Sequence, residues 1–448
     1  MRRVSQGAFA TSRQWFLKSL PLLIVVVVPL ALAALHIAAY PKLSPIDEAH
    51  HLDSAFRTSG GHLVRRGDTL DPSTTRTIGC RSIDEPGFVS PYPCTGQPTG
   101  SIETNISYMH PPPYYAITGV FGRAFAGLGL GSFITGARLA NALWLSLGMM
   151  MLFGLLGELG VSTRLRVAAS LLPLLAPMVL FQGSTVTNDV TAIPSAAAVL
   201  WIAFRYDRGR ATQFALLAVA VIAVWLRASN IFGVGIAGAF LLIRAASDPT
   251  KRRRLVQGGA ILVGAAAIAS AAWVVIIGEL AQVPADTFAP RSMFPQGFRW
   301  GDVWDSIAPI LPPTQGLPNV PLWNARPFIR FEVALLGWLL ISGPLIAVIR
   351  PPTPAGNVAT GDDQRSWPGS AIGLSTAIVA LLVAPALIVI NAVSADSYLG
   401  LPLAARLAMS LLPGFIVCLT IAIRHPWAER ALVALVVVVL VYDLAILA

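Results

Sequence analysis

Ser44-Pro45-Ile46-Asp47-Glu48-Ala49-His50-His51-Leu52-Asp53 follows almost directly on the first long apolar run of the chain, Leu20 to Tyr40. A run of that length crosses roughly 30 Å of hydrocarbon as a helix. Three carboxylates and two imidazoles therefore stand where the hydrocarbon ends. A soluble domain would have no reason to set such a cluster against an apolar span, so the reading of this stretch decides between a core helix and a membrane edge.

Composition settles the choice. The chain has 448 residues, of which 55% are hydrophobic and 12% charged, with a mean hydropathy of +0.68; soluble domains carry about 25% charged residues. Apolar runs of about 17 to 25 residues recur to the C-terminus and are too continuous for alternating barrel strands, so they read as helices. Spans are expected near 20–40, 137–157, 167–186, 190–206, 211–226, 231–246, 256–278, 330–349, 371–393, 402–424 and 430–447, about eleven in all. The fold expected is an all-α polytopic membrane protein in the lipid bilayer. Leu20 to Tyr40 follows Arg2, Arg3, Arg13 and Lys18 as a signal peptide would, but it is too long for a cleaved apolar region and lacks a small-residue cleavage site, so it reads as a retained first span.

The net charge of +10 does not point to nucleic acid, because the basic residues sit in short connections: the N-terminal arm 1–19, Arg164 with Arg166, Arg205 with Arg208 and Arg210, Lys251 through Arg254, Arg350 with Arg365, and Arg424 with Arg430. The positive-inside rule makes these cytoplasmic. Tyr114 to Leu130 fixes the count, because a crossing there would put Arg164 and Arg166 outside and invert every later loop. It reads as an interfacial helix. Two outer regions result, 41–136 and 279–329, on either side of spans two to seven in 137–278. A Pro-, Gly- and Asp-rich cytoplasmic linker, 351–370, lies within the last group of spans, 330–448. Cys80 and Cys94 share the first outer region, where a disulfide suits an oxidising compartment and two free thiols are the alternative. Cys418 lies within an apolar run and reads as a packing residue.

The chemistry-bearing residues have bland readings beside the sharp ones. Ser44 can cap a helix beginning at Pro45, with Asp47 completing a capping box. Asp47 and His51, spaced i, i+4, can instead share a proton, a metal or a substrate hydroxyl on one face. Asp47-Glu48-Ala49-His50 also spells a helicase box, but the chain has no Gly-Lys-Ser/Thr phosphate loop, and the match is discarded. No His-Glu-x-x-His zinc helix is present either; a divalent cation on the carboxylates stays open, with no ligand set fixed by spacing. Asn188 and Asp189 suit a helix cap, and an acidic residue at membrane depth equally suits a functional site. His110 precedes three prolines that enforce an extended chain, either as a rigid turn or facing substrate. Arg138, Arg227 and Arg406 are the outward cations available to a lipid phosphate. Arg406 ranks first, because an arginine a turn inside a span is costly without an anion, and an interfacial anchor is its alternative. Trp300, Trp304 and Trp323 among Asp302, Asp305, Asn319 and Asn324 suit a sugar polymer or interfacial anchoring.

Taken in order, Asp47-Glu48 with His50 and His51 after the first span, then His110-Pro111-Pro112-Pro113-Tyr114-Tyr115, then Thr187-Asn188-Asp189-Val190 at a later outer edge, resemble the bacterial branch of the GT-C superfamily of membrane glycosyltransferases. The likeness covers about the first half of the chain. Ala404 to Pro413 further resembles an arginine-tyrosine-proline element near the end of that family, with Leu407 in place of the tyrosine. The resemblance implies transfer of a hexosyl or pentosyl group from a polyprenyl-phosphate donor to a glycan acceptor outside the cytoplasmic membrane. It implies Asp47 as general base with Glu48 beside it as a second acidic contact or metal ligand. His50, His51, His110, Asn188 and Asp189 are then the polar contacts, and Arg138, Arg227 and Arg406 contact the substrate's anion. The abundance of Ala, Val, Arg and Gly and the scarcity of Lys suit a high-GC genome, for which a cell-wall arabinan, mannan or related polysaccharide is the corresponding product. Two other readings remain. A flippase of lipid-linked sugars would place its charged sites near the bilayer midplane, and a non-enzymatic partner of a wall-synthesis complex would keep Asp47 only as a cap.

Overall fold

Backbone that meets no water must satisfy its own hydrogen bonds, which makes helices the natural element of an apolar chain. The computed structural model describes residues 5–85, 87–95, 103–283, 329–349, 369–387, 406, 408–423 and 425–447. Among them there is no strand, and pairing of the β type is confined to isolated bridges between Leu43 and Ile83 and between Thr69 and Thr104. The helices are α1 (Ser5–Ala39), α2 (Glu48–Ser59), α3 (Pro72–Arg81), α4 (Pro113–Gly127), α5 (Phe133–Glu158), α6 (Thr163–Leu171), α7 (Pro177–Ser184) and α8 (Ala192–Asp207). They continue as α9 (Gln213–Leu226), α10 (Ile231–Ser247), α11 (Arg252–Glu279), α12 (Ile329–Ile349), α13 (Gly369–Ile378), α14 (Leu412–Ala422) and α15 (Pro426–Leu447).

The protein is an all-α polytopic membrane protein, but the described helices do not give eleven full spans. Six are long and apolar enough to cross a membrane: Ser19–Ala39 within α1, Phe133–Glu158, Ala228–Ser247, Arg252–Glu279, Gly369–Leu387 and Pro426–Leu447. The run expected as one span at 167–186 is a broken pair, Thr163–Leu175 and Pro177–Ser184, bent by 79°. Pro173 and Pro177 explain the break, since each lacks the amide that would continue the ladder. The run expected at 402–424 contains a 3₁₀ turn, Ala408–Leu411, leading into the 11-residue α14. At the N-terminus, helix starts at Ser5, well inside the expected arm 1–19. Most of the outer region 279–329 and of the linker 351–370, with the three tryptophans expected to meet a sugar polymer, lie outside the described residues.

One apolar core runs through the bundle, and α5 is central to it, packing on α1, α4 and α8. A second, smaller cluster of Leu43, Ala49, Leu52, Leu70, Ile78, Tyr92, Ile134, Ala137 and Val186 lies beneath the segment joining α1 to α4. Helix α4 seats Tyr114, Tyr115, Thr118, Gly119 and Gly122 inward and leaves Ile117, Val120 and Phe121 exposed. Its contact with α2 depends on Gly119, where a Cβ would collide with the Ala55 carbonyl oxygen. Cys80 and Cys94 are disulfide-bonded, and Cys418 is a buried free thiol in α14.

Candidate active site

The site starts from the local structure at Asp47. The capping box expected from Ser44 and Asp47 does not form. Helix α2 begins at Glu48, Asp47 is its N-cap residue in the left-handed region (φ 55°, ψ 10°), and the Asp47 side chain makes no capping bond. Glu48 takes the reciprocal place, accepting the Ser44 amide at 2.6 Å, while Ser44 Oγ accepts from the Ile46 amide. Asp is one of the few residues that tolerates a positive φ. Here that backbone turns two adjacent carboxylates toward different surroundings.

Glu48 points into the protein. It is fully buried and accepts from Arg138 Nε and Nη2 at 2.8 Å each, from the Val186 amide at 2.8 Å and from the Ser44 amide. Arg138 is buried too and also donates to the carbonyls of Tyr40 and Lys42. The structure thus turns Glu48 and Arg138 toward each other and away from solvent, Glu48 at 0% and Arg138 at 1% exposure. This bidentate buried pair fastens the end of α1, the start of α2 and the α7–α8 connection to α5.

Asp47 points the other way, and its side chain is 34% exposed. Its Oδ2 lies 2.9 Å from Arg406 Nη2. Arg406 Nη1 faces Asp189 Oδ2 at 3.8 Å, Asp189 Oδ1 is bonded to Arg227 Nη2, and Arg227 Nη1 donates to the Arg406 carbonyl at 3.3 Å. Two carboxylates and two guanidiniums thus alternate in one row drawn from four distant segments: the α1–α2 connection, the turn Asn188–Thr191 before α8, the end of α9, and Arg406, two residues ahead of the turn into α14. Partial burial pulls the Asp47 carboxyl up, but the Arg406 guanidinium, with His51 and His50 behind it, outweighs this and holds its pKa below the ordinary carboxylate value.

The histidines line the α2 and α4 side. His51 Nδ1 is hydrogen-bonded to Tyr115 Oη at 2.7 Å, and its ring stacks between Tyr115 and His110 at centroid distances of 5.8 and 5.6 Å. Burial first, and the nearby cations after it, push the His51 pKa down to about 3, so the ring is neutral at physiological pH; burial lowers His110 in the same direction. Asp47 and His51 are thus neighbours on one face without sharing a proton directly, each held by a different partner. His50 lies apart, with Nε2 3.4 Å from Glu103 Oε1. Asn188 is buried beside Asp189, and neither of its amide atoms has a hydrogen-bond partner among the described residues.

Several supporting residues carry no motif signal. Asp53 is wholly structural: it accepts from the Asp71 amide, Thr74 Oγ1 and Asn105 Nδ2 and pairs with Arg57. Asn105 caps the turn Ile106–Met109, and Trp273 Nε1 of α11 donates to the Met109 carbonyl at 2.9 Å, which sets the entry of His110 and its prolines. Asn141 Nδ2 reaches the carbonyls of Gln182, Thr185 and Thr187, and its Oδ1 accepts from Tyr114. A periodic pattern could have placed Asn141 on the buried face of α5, three residues from Arg138, but not named its partners. Among the described residues, no group of three His, Cys, Asp or Glu side chains could hold a metal ion.

No family model and no curated protein matches the chain. Among solved structures it is similar to ArnT from Cupriavidus metallidurans bound to undecaprenyl phosphate, with 18% identity, a TM-score of 0.39, and coverage of 91% of this chain and 77% of that one. ArnT from the same organism in the apo state is similar at 16% identity and a TM-score of 0.36, with coverage of 92% and 77%. Neither likeness is close enough to assign an activity.

Proposed function

We propose that the chain is a membrane glycosyltransferase of the GT-C type that moves a sugar from a polyprenyl-phosphate donor to a glycan acceptor at the outer face of the cytoplasmic membrane. One observation carries the reading: Asp47, Asp189, Arg227 and Arg406, from four segments spread over most of the chain, meet in a single ionic row with a partly exposed carboxylate at its end. Charges at membrane depth are costly, and a row of them at the edge of the bundle calls for a functional reason. The order of the Asp47-Glu48, His110-to-Tyr115 and Asn188-Asp189 motifs, which resembles that family, supports the same reading.

In this scheme the acceptor hydroxyl approaches Asp47, the one carboxylate of the row within reach of solvent. Its proton passes to Asp47 Oδ as its oxygen bonds to the anomeric carbon, and the bond from that carbon to the phosphate oxygen breaks with its electron pair staying on phosphate. The leaving phosphate is a stable anion, so inversion needs no second acid. Arg406 and Arg227 attract that phosphate, His51 and His110 give a neutral stacked wall, and Asn188 and Asp189 are the polar contacts beside it. Glu48 and Arg138 hold the frame. The apolar outer face of α4 suits a membrane surface, and the Cys80–Cys94 bridge suits an extracytoplasmic loop, with the N-terminus cytoplasmic.

The experiment is transfer of radiolabelled sugar from polyprenyl-phosphate donors to wall-fragment acceptors by purified protein, wild type against Asp47→Asn. Wild-type transfer with a loss of at least about 100-fold in the variant is expected. Equal rates would remove Asp47 as base, and no transfer with any hexosyl or pentosyl donor would overturn the enzyme reading in favour of a lipid-linked sugar flippase.

A further inference from the structure

The ionic row contains one weakly held member. Asp189 is engaged by two guanidiniums and is 3% exposed in its side chain, whereas among the described residues Asp47 is engaged by Arg406 alone and is 34% exposed. The Asp47 side chain makes no capping bond to α2 either. Arg406 hydrogen-bonds Asp47 through Nη2 and turns Nη1 toward Asp189 at 3.8 Å. A guanidinium grips phosphate best along an edge with two parallel N–H groups, and the edge formed by Nη1 and Nη2 opens when Asp47 leaves.

We infer that Asp47 and an anionic phosphate compete for Arg406, so that arrival of the phosphate detaches Asp47 from its arginine and makes it the base. This inference rests on the glycosyltransferase reading for the identity of the phosphate. Asp47 is the member that leaves, because it is the exposed one with a single partner. The charge count runs the same way. Two guanidiniums balance two carboxylates in the row, and a phosphate adds at least one negative charge. That excess raises the proton affinity of Asp47 once it is parted from Arg406: with the donor bound the proton comes from the acceptor hydroxyl, and with polyprenyl phosphate itself, the leaving group of the reaction, it comes from solvent. The other titratable or charged groups around it do not take that part: His51 and His110 are held neutral, and His50 lies against Glu103. Asp189 stays between Arg227 and Arg406. While paired with Arg406, Asp47 is a poor proton acceptor; once detached it is a good one, so proton abstraction from the acceptor is coupled to the presence of the donor.

The test is binding of a polyprenyl phosphate to the full-length protein in nanodiscs by titration calorimetry, repeated in buffers of different ionisation enthalpy to count protons, with inorganic phosphate as a parallel arm. Wild type is expected to take up protons on binding the lipid phosphate. Asp47→Asn, which removes the competing charge, is expected to bind it about tenfold tighter with no proton uptake, and Arg406→Gln to lose binding. A carboxylate with a merely structural role would give equal or weaker binding when changed to Asn; that result, or equal proton counts in both proteins, overturns the competition and leaves the donor class standing. Inorganic phosphate bound with the same dependence on Asp47, while the lipid phosphate is not bound, keeps the competition and overturns the lipid donor. Binding of neither phosphate overturns both.

Discussion

The Glu48 carboxylate and the Arg138 guanidinium meet at 2.8 Å through two parallel contacts, 90 residues apart in the chain and both buried. Removing one partner of such a pair leaves an uncompensated buried charge, which costs about 3–5 kcal/mol. Glu48→Ala and Arg138→Ala are therefore expected to lower the thermal midpoint sharply in detergent or nanodiscs. Asp47→Asn is expected to leave it within a few degrees. Comparable losses in all three proteins would mean that Asp47 belongs to the frame as well.

Acid lability comes from the histidines. His51 is lowered to about 3 in the fold against an ordinary 6.5, so the unfolded chain binds more protons through that interval. Its contribution to stability is complete above about 6.5 and declines as the pH falls toward 3. Asp47, also lowered, adds a loss of the same sign further into acid. The thermal midpoint at pH 5 should lie below that at pH 7.5, with a smaller difference in His51→Gln. An unchanged slope in that variant would place the acid sensitivity elsewhere.

Gly119→Ala tests the approach of α4 to α2. The added methyl meets the Ala55 carbonyl oxygen, part of a backbone that cannot swing away as a side chain can. A destabilisation of about 1–3 kcal/mol is expected, together with weaker stacking of Tyr115 on His51, read from the midpoint and from transfer activity. Retention of both would show that the helices have room to part.

Reduction of the Cys80–Cys94 bridge frees a short loop in the region before α4. Closing a loop of about 15 residues is worth about 3 kcal/mol. A reductant, or the Cys80→Ser, Cys94→Ser double variant, should lower the midpoint of wild type by that order without removing binding of a polyprenyl phosphate, since Asp47, Arg227 and Arg406 all lie outside the loop.

The helical segments are legible in the sequence because length and apolarity are local properties of a run. Where proline interrupts the run, as at Pro173 and Pro177, hydropathy alone reads through a bend that the backbone cannot avoid. The stretch around Asp47 stands out in the sequence for a related reason: charge at the end of an apolar run is visible without any partner. The division of labour between Asp47 and Glu48 is not. Adjacent letters of the same chemistry are separated only by the positive φ at Asp47 and by what waits on each side: Arg138 and the Val186 amide for one, Arg406 for the other. Partners at separations of 90, 138 and 359 residues leave no mark on local pattern. The pairing of Arg138 is hidden for the same reason, since an arginine at the end of an apolar run looks alike whether it faces a lipid or a buried glutamate.

Arg138 and Asn141 stand three residues apart on α5, and through them that helix holds two of the segments that supply the ionic row. Arg138 grips the strand of chain that carries Asp47, and Asn141 grips the carbonyls that lead into Asp189. A tilt or slide of α5 would carry both acidic groups along together and preserve the gap between them. The spacing of the two carboxylates is in that sense borrowed from one helix rather than negotiated between loops. Substitutions that reshape the bundle around α5 should be far better tolerated over evolutionary time than those that loosen either of its two handholds.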